Sequence, residues 1–360
     1  MIRMKEVDTD SNSHAACICP IYCIVPPHIL KRIAEHGNAN QKSWAFRTLA
    51  ISEQARGQRQ AVGLIAALAT TSTGTKRRTV YDARNSSRLP GTIVRAEGGP
   101  KSKDPAVNEA YLGAGTTYDL YYKVFGRNSI DERGMRLDST VHYGRDYDNA
   151  FWNGQQMVYG DGDGELFNRF TIAIDVIGHE LTHGVTQYEA GLEYEDQPGA
   201  LNESMSDVFG SLVKQYRRRQ TAKNADWLIG KGLLASGVKG KALRSMKEPG
   251  TAYDDDLLGK DPQPGHMKDY VKTHDDNGGV HINSGIPNRA FYETAIRLGG
   301  YAWQKAGQIW YVALRDKLRP TSQFKDAAKA TWMAARELYG NGSLELKAVQ
   351  QGWSEVGIKV

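Results

Sequence analysis

D-V-I-G-H-E-L-T-H, residues Asp175–His183, is the stretch whose reading decides this fold. Val176, Ile177, Leu181 and Val185 recur at helical spacing, so the segment reads as a buried helix. His179 and His183, four apart, project from one face of it and can share a metal ion. Glu180 follows the first ligand and can act as general base on water at such a metal. A catalytic zinc takes three protein ligands and keeps one position open, so a third ligand is required. N-E-S-M-S-D, Asn202–Asp207, offers it at the start of a second helical pattern carrying Val208, Phe209, Leu212 and Val213. Glu203 is placed as third ligand. Asp207, one turn further, faces the same way and can accept the outer N–H of a ligand histidine. Either acid alone would also read as a first-turn residue favoured by the helix dipole. Together, behind H-E-x-x-H, they point to a catalytic zinc.

Composition sets the frame around this centre. A chain of 360 residues with 40% hydrophobic content can bury a sizeable core and form two or three domains. The net charge of +5 is mild, and the basic runs Lys76–Arg78 and Arg217–Arg219 are short, without interleaved aromatics. They read as solvated faces, which excludes a nucleic-acid surface. No stretch is apolar enough to span a bilayer. Cys17, Cys19 and Cys23 all lie in the first 23 residues, so the body of the protein holds no disulfide. With charged and polar opening residues and an apolar run, Ala15–Val25, broken by Pro20, no signal peptide is visible. These features predict a chain made in the cytoplasm, with any export by an unconventional route.

Along the chain, residues 1–66 form a separate N-terminal unit. Helical patterns at Ile29 and Ile33, then at Trp44, Phe46, Leu49 and Ile51, are divided by a break at Gly37–Asn40. Ala61–Thr75, small and then Thr/Gly-rich, has the composition of a cuttable linker. T-V-Y-D-A (79–83), G-T-I-V-R-A (91–96), L-D-S-T-V-H-Y (137–143) and Q-M-V-Y-G (156–160) read as strands, interrupted by a helix containing Asn108–Phe125. Beyond the H-E-x-x-H helix the pattern is helical. Pro287 opens a helix closing at Gly299–Gly300, Ala302–Leu318 is amphipathic, and Thr321 or Ser322 can cap Phe324–Tyr339. The expected domains are residues 1–66, a β-rich lobe 67–189 that includes the H-E-x-x-H helix, and a helical lobe 190–360.

These motifs resemble those of the thermolysin-like metallopeptidases, from about Tyr81 to the C-terminus. N-A-F-W-N-G-Q-Q-M-V-Y-G-D-G-D-G (Asn149–Gly164) is similar to the family's substrate-edge strand, and G-V-H-I-N-S-G (Gly279–Gly285) to its second catalytic segment. The extension with P-P-H-I-L (Pro26–Leu30) resembles the protealysin-like branch. The resemblance implies an α+β fold of two lobes with zinc in the cleft between them, and a propeptide that covers the cleft. It implies that His281 hydrogen-bonds the developing oxyanion, that Asp276 orients that histidine, and that Tyr194 donates to the same oxygen. Asn202 joins Asp207 behind the ligands. Asn149 and Ala150 would pair with an extended peptide, and Arg244 would bond the carbonyl on the leaving side. Phe167, Val176 and Leu243 would line the pocket after the scissile bond, although Phe167 and Val176 in isolation read as core. Their size implies cleavage on the amino side of bulky hydrophobic residues. Pro26, Pro27 and Leu30 would anchor the propeptide as an intramolecular inhibitor. The partners are then protein or peptide substrates and the chain's own propeptide.

One departure concerns calcium. Asp175 and Asp226 remain of the family's paired calcium site, but Lys214 and Lys231 stand at two other ligand positions, Leu228 at a third, and Lys241 at a further site. An ammonium offers calcium no oxygen, so the lysines are expected to form salt bridges with Asp175 and Asp226. Asp161 and Asp163 are compatible with a weak cation site, or with a tight turn. A thiolate from Cys17, Cys19 or Cys23 could cap the zinc, although buried packing is the commoner use of cysteine. Two other readings are a peptide-binding protein without activity and a purely structural zinc protein. Intact Glu180, Glu203 and His281 speak against the first, and the lack of a fourth Cys or His ligand against the second.

Overall fold

A computed structural model describes residues 22–62 and 74–360. Cys17, Cys19 and most of the expected linker lie outside the described residues. The N-terminal lobe is built on a six-stranded sheet of order β1-β5-β6-β4-β2-β3. β2 (Arg78–Asp82) pairs antiparallel with β3 (Thr92–Ala96) and parallel with β4 (Leu137–Val141), which runs parallel to β6 (Gln156–Tyr159). β5 (Ala150–Trp152) turns back onto β6 through Asn153-Gly154. There Asn153 Oδ1 accepts the N–H groups of Gln155 and Gln156, and Gly154 has φ 97°, the turn chemistry such a hairpin needs.

β5 would be the sheet edge of the body alone. It is covered instead by β1 (Tyr22–Cys23), in register Tyr22 with Trp152 and Cys23 with Phe151. The chain then passes Pro26 and enters α1 (Pro27–His36), with Pro27 at the first helical position. After the break at Gly37 it continues as α2 (Ala39–Val62). Ile29, Leu30 and Ile33 of α1 are buried.

Behind the sheet lies α3 (Pro105–Phe125), started by the Asp104 cap and ended by left-handed Gly126. The H-E-x-x-H helix is α4 (Ile174–Tyr188), and α5 (Asp196–Arg218) packs against it more closely than ordinary side chains allow. A Cβ on Gly210 would lie 2.4 Å from the Asp175 carbonyl oxygen and 3.0 Å from the His179 nitrogen, and one on Gly178 3.0 Å from Val213 Cβ. These glycines bring Glu203 and Asp207 within reach of His179.

The C-terminal lobe is helical: α6 (Asp276–Asn283), α7 (Gly285–Leu298), α8 (Ala306–Val312) with a wider turn through Lys317, α9 (Phe324–Tyr339) and α10 (Leu344–Glu355). Tyr121, Phe125, Phe209 and Tyr311, with ring centroids 4.9–6.3 Å apart, join α3, α5 and α8 in one aromatic cluster that ties the lobes together. The two-lobed α+β architecture is the expected one. The expected cap of α9 is corrected. Gln323 and Asp326 form a reciprocal capping box, while Ser322 Oγ is occupied by the Arg319 N–H. Among the described residues no helix is long and apolar enough to cross a membrane.

Candidate metal centre and cleft

At the crossing of α4 and α5, ligand atoms of His179, His183 and Glu203 lie within 4.8 Å of one another, all buried. His179 Nδ1 donates to Asp207 Oδ1 (2.8 Å) and His183 Nδ1 to Asn202 Oδ1 (2.9 Å), with Ser206 Oγ also 2.9 Å from it. With both Nδ1 atoms donating, both Nε2 atoms carry lone pairs, yet they face each other at 3.0 Å. Glu203 presents Oε2 to His179 Nε2 and Oε1 to His183 Nε2, each at 3.4 Å. Two facing lone pairs beside a buried carboxylate whose Oε2 has no hydrogen-bond partner among the described residues is an arrangement that a cation satisfies. Three N/O donors with fixed outer partners fit zinc. Without a cation the site takes up protons. Burial opposes charging His179, but Asp207 and Glu203 carry it up to about 9.

Glu180 is fully buried beside this set. Its Oε2 accepts the Trp152 N–H (3.2 Å), and among the described residues its Oε1 has no hydrogen-bond partner. Burial pushes its carboxyl up to about 8, His179 opposing and Glu203 adding.

α6 supplies the opposite wall. Asn277, Gly278 and Gly279 take φ of 50°, 80° and 77°, a left-handed turn that two glycines make accessible. It folds Asp276 back onto His281, whose Nδ1 donates to Asp276 Oδ1 (2.7 Å). His281 Nε2 lies 3.0 Å from the Cys23 carbonyl oxygen, so the two contacts suit a ring that donates from both nitrogens, an imidazolium. Burial works against that charge, and Asp276 and Glu203 outweigh it, raising its pKa. Tyr194 Oη donates to Glu203 Oε1 and lies 3.2 Å from His281 Nε2.

Arg244 is buried and bonded twice to Asp207, Nε to Oδ2 and Nη2 to Oδ1, both at 2.8 Å. Asn288 donates to the same carboxylate at 2.8 Å. Asp207 therefore joins a candidate metal ligand to a candidate substrate group. Burial would raise its carboxyl, but Arg244 and His179 hold it well below the usual range.

Residues Cys23 to Val25 lie across the cleft. Ile24 N–H donates to the Ala150 carbonyl (3.3 Å), and Arg244 Nη1 donates to the Ile24 carbonyl (3.1 Å). Val25 N–H donates to Asn149 Oδ1 (3.0 Å). The Cys23 thiol faces Ser52 Oγ at 3.7 Å and packs among Tyr143, Tyr147 and Phe151; it is the Cys23 carbonyl that meets His281.

The structure thus gathers His179, Glu180, His183, Tyr194, Asn202, Glu203, Asp207, Arg244, Asp276 and His281 around one point, with Asn149 and Ala150 on the facing strand. Phe167, Val176 and Leu243 are buried in the main hydrophobic core, which spans both lobes and also takes in Ile24, Val25 and Leu30. Sequence reasoning missed Ser206, which falls four residues before Gly210 on the α5 face turned to α4, and Asn288, which no local pattern marks. It also missed Gln263, whose Nε2 donates to the His281 carbonyl at 2.7 Å.

Near α4, Lys214 Nζ is 2.9 Å from Asp175 Oδ2 and 2.8 Å from Asp226 Oδ1, and it donates to the Leu228 carbonyl. Lys231 is 3.7 Å from Asp226, and Lys241 is exposed. In the D-G-D-G turn, Asp163 Oδ1 accepts the N–H groups of Glu165, Leu166 and Phe167, and Asp161 pairs with His142.

Two family profiles match the chain: "Thermolysin metallopeptidase, catalytic domain" over residues 65–187 and "Thermolysin metallopeptidase, alpha-helical domain" over residues 190–358. The "Extracellular metalloprotease" of Pectobacterium carotovorum is 53% identical over 348 residues, covering 95% of this chain and 97% of that protein. A "Thermolysin" of Alicyclobacillus acidocaldarius is 46% identical over 288 residues, covering 77% of this chain and 50% of that protein. The solved precursor of protealysin from Serratia proteamaculans superposes with a TM-score of 0.86 at 56% identity, covering 94% of this chain and 99% of that one. The Pectobacterium relative's name overturns the cytoplasmic assignment. Scarce cysteine was poor ground for it, because a core of this size holds a chain together without disulfides.

Proposed function

Because the chain belongs to the thermolysin metallopeptidase family and is a metalloendopeptidase of its protealysin-like branch, we propose that it is made as a zymogen. In this reading its own N-terminal segment fills the cleft, and the freed enzyme cuts on the amino side of bulky hydrophobic residues outside the cell. The observation that carries the proposal is the clamp on Cys23–Val25, whose main chain meets His281, Ala150, Arg244 and Asn149 in turn. Phe167, Val176 and Leu243 are each apolar and buried, which supports the hydrophobic preference.

Zinc is the expected ion, held by His179, His183 and Glu203; when bound it supplies Lewis acidity to water and to a carbonyl. Glu180 would take the proton from the attacking water and deliver it to the leaving nitrogen. The His281 imidazolium and the Tyr194 phenol would stabilise the oxyanion, in a site already dry and oriented. Asp276 keeps His281 charged. Asn149, Ala150 and Arg244 would hold the peptide extended, as an added strand. The test is peptide hydrolysis after removal of the N-terminal segment, with product ends read by mass spectrometry. Cuts before Leu, Ile or Phe are expected; cuts without hydrophobic preference would overturn the specificity.

We further propose that Lys214 replaces calcium near α4, since its ammonium already meets three oxygens there. Lys214→Ala would leave Asp175 buried and uncompensated, costing about 3–5 kcal/mol. Thermal melting should then fall by about 5–10 °C, while millimolar calcium leaves the wild-type melting point in place. A rise of that size with calcium would refute the replacement.

Docking of the segment should depend on pH through His28. Its Nε2 is 3.1 Å from Tyr253 Oη, and its Nδ1 is buried without a hydrogen-bond partner among the described residues. Burial brings its pKa down to about 4; Asp276 opposes this, and His281, Arg244 and Lys31 add to it. In a released segment the ring titrates near 6.5. Docking is therefore full above about 6.5 and is lost as pH falls toward 4. A peptide of residues 22–62 should inhibit the trimmed enzyme on the order of tenfold more weakly at pH 5 than at pH 7. The His28→Gln peptide should show a flatter profile.

A further inference from the structure

The contacts of the N-terminal segment fall in a fixed order. The Cys23 carbonyl faces His281 Nε2, the Ile24 N–H faces the Ala150 carbonyl, the Ile24 carbonyl faces Arg244, and the Val25 N–H faces Asn149. The segment runs antiparallel to β5 throughout. In the proposed function, on which this inference rests, the carbonyl at His281 is the one attacked and the carbonyl at Arg244 belongs to the leaving side. Those two carbonyls are consecutive here, so the bond between them is Cys23–Ile24. Ile24 is bulky, apolar and fully buried.

Besides the β1 pairing and the packing of Cys23 on the N-terminal side of that bond, the segment has a set of anchors on its C-terminal side. On α1, Lys31 pairs with Asp275 (2.6 Å), His28 meets Tyr253 (3.1 Å) and Arg32 donates to the Leu257 carbonyl (3.4 Å). On α2, Thr48 Oγ1 accepts the Asp148 N–H (3.2 Å) and Arg47 reaches Asp146 (3.5 Å). Breaking the chain at Cys23–Ile24 leaves all of these in place.

We propose that Cys23–Ile24 is an internal cleavage site, threaded through the cleft as a substrate is, and that cutting it leaves the protein latent. The step is a hydrolysis that consumes one water. The water oxygen adds to the Cys23 carbonyl carbon, the C–N bond to Ile24 breaks, and Cys23 ends as a carboxylate. Glu180 carries one of the water's protons to the Ile24 nitrogen, and the second, released as the new Cys23 acid ionises, completes the Ile24 ammonium. The new carboxylate faces the His281 imidazolium, and the new amine still faces the Ala150 carbonyl. The product is a nicked protein whose cleft remains filled by Ile24 and Val25, as a bound leaving fragment would fill it. Latency would then end only when the rest of the segment is removed.

The test follows full-length protein loaded with zinc, by intact mass and N-terminal sequencing. A chain beginning at Ile24 is expected, at a rate independent of protein concentration and without a rise in peptide hydrolysis. Ile24→Leu should preserve the cut and Ile24→Asp should abolish it. A second readout needs no metal. In the metal-free full-length protein the Ile24 and Val25 amides should exchange at least about a hundredfold more slowly than in an unfolded chain, and Asn149→Ala should speed exchange at Val25. The inference fails if both amides exchange freely. It also fails if trimmed protein hydrolyses peptides while the zinc-loaded precursor never yields an Ile24 end. Trimmed, zinc-loaded protein that hydrolyses nothing would instead overturn the proposed function itself.

Discussion

Glu180→Gln is expected to lower kcat for peptide hydrolysis about a thousandfold or more, while zinc content and folding persist. The carboxylate is fully buried; among the described residues it is tethered through Oε2, to the Trp152 N–H at 3.2 Å, and its Oε1 has no hydrogen-bond partner. Glutamine preserves the shape and can still accept from Trp152, but it cannot take a proton from water. General-base groups contribute roughly 10²–10⁴-fold. Here the same group would also return the proton to the nitrogen, so the upper part of that range applies. Zinc stoichiometry by elemental analysis, read beside kcat on the trimmed protein, separates lost proton transfer from lost metal. A loss under tenfold with zinc retained would remove Glu180 from the mechanism.

Asp207→Ala is expected to act on three properties at once. Its carboxylate accepts from His179 Nδ1, from Arg244 twice and from Asn288, every contact at 2.8 Å. Removing it leaves the buried Arg244 guanidinium without its counter-charge, at a cost of about 3–5 kcal/mol. It also releases the tautomer and orientation of His179, which should weaken zinc binding by about 10–100-fold. With Arg244 no longer aimed at the cleft, KM should rise as well. Melting of the metal-free protein, zinc titration and steady-state kinetics read the three effects separately. A variant that melts and binds zinc as wild type does would show that the shared carboxylate does not couple the ligand to Arg244.

Much of this was legible in the sequence, because helical spacing fixes which residues share a face. His179, His183 and the apolar positions between them define α4, and Glu203 and Asp207 fall one turn apart on α5. The edge strand was placed by its resemblance to the family's substrate-edge strand, and Asn153-Gly154 between apolar runs agrees with the hairpin found there. What stayed hidden depends on packing between segments distant in sequence. That Ser206 lies against His183 follows from the close approach permitted by Gly178 and Gly210, and spacing alone does not report interhelical distance. Asn288 reaches Asp207 from another helix across 81 positions of sequence. The start of α3 at Asp104-Pro105 was readable in principle, since both are strong start residues. The compartment was not: it is set by how a chain is exported, and a protein with a large core carries little cysteine in either setting.

The central claim is that one zinc-dependent site does the hydrolysis and that the chain's own N-terminal segment fills it. The measurement that tests this most directly is turnover of an internally quenched peptide by zinc-loaded protein, before and after limited proteolysis in the 62–74 region. Wild type and Glu180→Gln are compared, with the trimmed segment separated from the body. Trimmed wild type should gain at least about a hundredfold over the intact chain, an effect lost with a zinc chelator and absent in Glu180→Gln. Equal turnover by intact and trimmed wild type, or silence of the trimmed protein with one zinc bound, would contradict the account.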